Sequence, residues 1–135
     1  MLTVGCLNVS ANSILETTYS ESTVTPRYVL LSLVSAGINK EALGFVTCTS
    51  SYSCMAEDYT FVLTCTLQRT NSTTAWVDYK TATDTFTDVG VNVVEKSWYA
   101  PAGYAYRTYT TVVVKNSRTS KVVETATTYS PTIYK

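Results

Sequence analysis

Apolar and polar residues alternate with a period of two along most of this chain. In 59–70, Phe61, Leu63, Cys65 and Leu67 share one side, with Thr60, Thr64 and Thr66 between them. That is the signature of a strand with one buried face. Similar runs predict seven strands, at 28–38, 43–51, 59–70, 74–82, 89–98, 104–115 and 121–129. Asn39-Lys40-Glu41, Asn71-Ser72-Thr73, Pro101-Ala102-Gly103 and residues 116–120 supply turns between them. Helical periodicity is absent. Short strands at this spacing predict an all-β fold, an antiparallel seven-stranded immunoglobulin-like β-sandwich. The tyrosines after Gly103 suggest a tyrosine corner, with Tyr104 or Tyr106 tying its strand to nearby backbone.

Composition sharpens this picture. Threonine, serine, valine and tyrosine dominate, and these suit a pleated, half-buried surface. The 135 residues fit one domain able to build its own core. Ten basic residues balance ten acidic ones, so the chain lacks the charge excess of a nucleic-acid binder. It also lacks the basic cluster of a membrane-surface protein and any apolar run long enough to span a bilayer. There is no histidine. Ser-His-Asp and Cys-His catalysis and histidine metal sites are thereby excluded.

The first residues carry a different signal. Residues 1–11 are short and apolar and end in Val9-Ser10-Ala11, which fits the remnant of a signal peptide cleaved after Ala11. The plain alternative is an ordinary strand. Gly5-Cys6 is a weak lipidation match, because Thr3 stands where leucine is usual. Residues 12–27 read as a flexible N-terminal arm, with Ile14, Leu15 and Tyr19 able to dock on a sheet edge. The sandwich domain then occupies 28–135. This reading predicts a secreted, extracellular protein.

Export bears on the cysteines. A pair in an oxidising compartment tends to bridge, and Cys48 and Cys65 fall at matching heights if the chain turns near Ala56 and Glu57. The expected disulfide is Cys48–Cys65, with Cys54 left in the connection as a free thiol. Cys54–Cys65 is the rival pairing, and unbridged core thiols are the bland alternative.

Candidate chemistry is sparse. Trp76, Tyr79, Trp98 and Tyr99 are candidate ligand-contact aromatics, since flat rings stack on sugars, although a buried core role competes, most of all for Trp76. Glu57-Asp58, Asp84 and Asp88 are the local acidic groupings, and all fall in expected turns. Asp84 and Asp88 offer too few oxygens for calcium. No catalytic residue, cofactor or metal site is predicted.

Several landmarks recur in a familiar order: Pro26-Arg27-Tyr28, Gly44 to Cys48, Leu67-Gln68-Arg69, Trp76, Gly103 to Arg107 and Glu124 to Ser130. Over roughly residues 26–130 the chain resembles a family of small secreted β-sandwich proteins of Gram-positive anaerobic bacteria, a domain of unknown function. The resemblance implies a sandwich and an extracellular place, and no activity. The extra cysteines and the connection at 84–90 depart from its pattern.

Taken together, these observations predict a non-enzymatic secreted or surface-associated module that binds an unknown protein or glycan partner or self-assembles. A carbohydrate-binding module using exposed aromatics is the alternative.

Overall fold

A computed structural model describes residues 17–22, 30–71 and 75–135. Cys6, residues 1–11, most of the 12–27 arm and Ser72-Thr73 lie outside the described residues. Among the described residues nine strands run in the order β1 (Thr17–Ser22), β2 (Leu31–Lys40), β3 (Phe45–Cys54), β4 (Tyr59–Thr70), β5 (Val77–Phe86), β6 (Gly90–Tyr99), β7 (Ala105–Asn116), β8 (Val122–Tyr129) and β9 (Ile133–Tyr134). They form two antiparallel sheets. One has the order β1-β2-β3-β6; the other has β5-β4-β7-β8, with β9 paired to the start of β7.

The expected all-β, two-sheet architecture is present. The count differs: β1, inside the stretch read as an arm, pairs with β2 from Thr17↔Asn39 to Ser22↔Val34, and β9 adds a short C-terminal strand. β3 continues to Cys54, three residues beyond the expected end, because its alternation of buried Val46, Cys48, Ser50, Tyr52 and Cys54 does not stop. The fourth expected strand is displaced to Val77–Phe86. A register shift at Leu67/Gln68 offsets β5, and Trp76 precedes its first paired residue, Val77. Asp84 therefore lies within β5 rather than in a turn.

The core lies between the sheets. Phe61, Leu63, Cys65 and Leu67 of β4 face Val46, Cys48 and Tyr52 of β3, all buried. The Tyr52 and Phe61 rings stack with centroids 4.8 Å apart, and Phe86 tilts against Tyr52. The Tyr52 hydroxyl accepts a hydrogen bond from Asn92 Nδ2 at 3.0 Å; burial pushes its phenol up to about 12.

Between β2 and β7 the core turns polar. Ala36 is small and Gly37 has no side chain, so the hydroxyls of β7 reach the opposite backbone. Thr108 Oγ1 donates to the Gly37 carbonyl at 2.8 Å, and Thr110 Oγ1 to that of Ser35 at 3.2 Å. Ser50 Oγ and Thr110 Oγ1 lie 2.6 Å apart. Each buried hydroxyl is paired, as burial demands. At the end of the sandwich, Tyr106 donates from its hydroxyl to the Pro101 carbonyl. Of the two tyrosines suggested for a corner, Tyr106 makes the tie.

Candidate functional site

The outer faces of the two sheets hold the unassigned chemistry. On the first sheet, the odd-numbered residues of β3 point away from the core. Phe45, Thr47, Thr49, Ser51 and Ser53 stand opposite Tyr99, Ser97, Glu95, Val93 and Val91 of β6. The turn leading into β3 passes through Leu43 and Gly44 with φ of 62° and 86°. Gly44 is required there twice over: its φ suits glycine, and a Cβ would sit 2.7 Å from the Tyr99 ring. Tyr99 thus lies over this turn and meets Phe45 edge-on at 5.8 Å.

Beside this aromatic pair a cavity of about 560 Å³ opens, lined by Asn39, Glu41, Phe45, Thr47, Thr49, Glu95 and Ser97 among others. Its polar groups are ordered by one another. Glu41 Oε2 accepts from Asn39 Nδ2 at 2.7 Å and from Thr47 Oγ1 at 3.0 Å. Thr47 Oγ1 lies 2.8 Å from Ser97 Oγ, and Thr49 Oγ1 donates to Glu95 Oε2 at 3.3 Å. Asn39 Oδ1 is buried and, among the described residues, has no hydrogen-bond partner. Two carboxylates and the hydroxyls they order give a surface rich in acceptors, suited to a ligand that brings O–H or N–H donors.

The four aromatics expected to contact ligand do not share a face. Trp76 stacks on the guanidinium of Arg107 at 4.2 Å, outside the second sheet. It is half-buried and is not the core anchor that competed with a ligand role. Tyr79 covers Arg69 at 4.0 Å, with Tyr104 on the other side at 4.1 Å. Trp98 packs against the core from the edge strand β6. Only Tyr99 adjoins the groove.

The Cys48–Cys65 bridge is not formed: Cys48, Cys54 and Cys65 are all free thiols with no exposed surface. Cys54 is not in the connection; it closes β3. The spacing argument did place Cys48 and Cys65 together, since the Cys48 thiol lies within hydrogen-bonding reach of Cys65 and Thr108, and Cys65 within reach of Ser50. The hydroxyl-lined seam thus accommodates them as thiols. The hydrogen bond to Cys65, and then burial, push the Cys48 thiol up. Native protein is therefore expected to leave these three thiols unlabelled by a maleimide, and urea-unfolded protein to expose them all. A native mass two hydrogens light without reductant would show that the pair bridges after all.

Sequence reasoning missed Glu41, Glu95, Phe45 and Arg107. No local motif marks them, because strand pairing brings together Thr49 with Glu95 and Gln68 with Arg107. Among the described residues no three His, Cys, Asp or Glu side chains converge to hold a metal ion, and no helix is long and apolar enough to cross a membrane. Compared with protein-family models, curated proteins and solved structures, the chain matches none.

Proposed function

We propose that this chain is a secreted or surface-associated β-sandwich module that works by binding a partner and carries out no reaction of its own. The observation that carries the reading is the groove on the first sheet, whose acceptor groups are preordered on rigid strands beside the Phe45–Tyr99 pair. Preordering lowers the entropy lost when a ligand is held. The strand order β2-β3-β6 against β5-β4-β7-β8 supports an immunoglobulin-like arrangement. The signal-like residues 1–11 and the resemblance to secreted sandwich proteins of Gram-positive anaerobes support an extracellular place. Complete burial shields the three thiols there.

Within this reading the groove favours a glycan. Sugar hydroxyls donate readily to carboxylates, and a ring such as Tyr99, 53% exposed, offers a stacking platform. Self-association has its own support in the edge strand β6, where Val91 and Val93 are exposed.

Titrating isotope-labelled protein with neutral oligosaccharides tests this. The expected result is shifts at the Thr47, Thr49 and Ser97 amides, abolished by Glu95→Ala. The reading fails if neither sugars nor raised protein concentration perturb that face and light scattering shows only monomer.

A further inference from the structure

The outer face of the second sheet holds a cation that the described residues orient without neutralising. Asp78 on β5, Gln68 on β4 and Arg107 on β7 stand in one cross-strand row, with Gln68 paired to both. Gln68 Nε2 donates to Asp78 Oδ1 at 2.9 Å, and its Oε1 accepts from Arg107 Nε at 2.9 Å. The row therefore fixes one edge of the guanidinium. Rings fix its plane: Trp76 lies 4.2 Å away and Tyr129 3.9 Å away. Tyr129 in turn stacks on Tyr109, its register partner on β7, at 4.8 Å.

What is left over is the terminal edge. Nε is the guanidinium nitrogen that is hydrogen-bonded within the described residues, and Arg107 is half-buried rather than closed off from solvent. The nearby acid, Asp78, is engaged by Gln68 rather than by Arg107. Packing between rings strips water from the charge, lowering the affinity of Arg107 for its proton, yet among the described residues no carboxylate is paired with it. A planar, immobilised N–H fork is the complement of a planar carboxylate, which it binds through two parallel hydrogen bonds.

We infer that the terminal edge of Arg107, held by Gln68, Trp76 and Tyr129, is a binding site for a single carboxylate on an acidic sugar of the uronic-acid type. One oriented cation selects one negative charge; polyanions such as nucleic acids need many. The surroundings choose among carboxylates. The same face carries Tyr109 and Tyr129 in the adjacent cross-strand row and Thr111 and Thr127 in the next, whose hydroxyls are partners for ring hydroxyls. A peptide acid would draw instead on apolar sockets beside the charge. The site lies on the opposite sheet from the groove, so it does not rest on the glycan reading given above.

The test uses a uronic-acid trisaccharide and its methyl ester, titrated into labelled protein while the Arg107 Nε–H and Trp76 indole N–H signals are followed. The uronate is expected to shift both signals, and the ester to bind at least about tenfold more weakly, the loss of a charge-assisted pair. Arg107→Lys keeps the charge and loses the fork, so it should weaken the uronate to a similar degree while leaving the melting temperature near that of the parent. Gln68→Leu, which frees the Nε edge, should weaken binding less. The assignment is overturned if no uronate binding is seen, if ester and acid bind alike, if Arg107→Lys binds the acid unchanged, or if an acidic peptide binds as well as the uronate.

Discussion

Replacing Phe61 with alanine is expected to lower the free energy of unfolding by about 3–5 kcal/mol, the usual cost of deleting a buried aromatic ring. Phe61 has no exposed surface and stacks on Tyr52, the largest side chain of β3 in the core. The two rings come from different sheets, β3 and β4, and join them near the β3–β4 connection. Their neighbours Leu63 and Val114 belong to fixed strands, so the space left by the ring does not collapse readily. Phe61→Leu retains most of the volume and should cost less than about 2 kcal/mol. Urea denaturation of the three proteins measures this. A Phe61→Ala protein within about 1 kcal/mol of the parent would mean that this contact does not hold the sheets together.

The second large effect is expected at Glu124, whose carboxylate spans the sheets at the other side of the sandwich. Its two oxygens accept from the successive amides of Leu30 and Leu31, at 3.0 and 3.1 Å, across more than ninety residues of chain. The amides belong to the residue just before β2 and to its first residue, in the first sheet; Glu124 belongs to β8 in the second. Hydrogen bonds to a charged acceptor each contribute about 1.5–3 kcal/mol, a sum of about 3–6 that solvent around this half-buried carboxylate reduces, so Glu124→Ala should cost roughly 2–4 kcal/mol. Glu124→Gln keeps one carbonyl acceptor and should fall between. Amide exchange reads the mechanism directly: the Leu30 and Leu31 amides should lose protection in Glu124→Ala before those of β4 do. Unchanged protection at those two amides would rule out the staple.

Both effects depend on pairs that the sequence does not juxtapose, and the same divide runs through the candidate sites. Period-two alternation made β4 legible to the residue and placed β7 and β8 within a residue, because a buried sheet face imposes its own spacing. The edge strands β5 and β6 are mostly exposed; β6 is bounded by the break at Pro101 to Gly103, whereas the start of β5 is offset with the register shift at Leu67/Gln68, which no local pattern marks. The extension of β3 to Cys54 was present in its alternation but obscured by serines, which occupy its solvent side.

The cysteines divide in the same way. Spacing alone brought Cys48 and Cys65 to facing core positions. Whether they bridge depended on their surroundings, and these are hydroxyls from β3 and β7. Likewise Leu67-Gln68-Arg69 and the Gly103 to Arg107 stretch stood out as landmarks without disclosing a role. Only pairing of β4 with β7 sets Gln68 against Arg107, and only the displaced start of β5 brings Trp76 over that guanidinium.

By itself, then, the sequence determined the all-β class, most strand positions, the inward faces and the meeting of two thiols. Each follows from short-range periodicity, a property of neighbours along the chain. The tertiary structure alone decided the free state of the cysteines, the acceptor-lined groove and the oriented arginine. These arise from register between strands far apart in sequence, which local spacing does not encode.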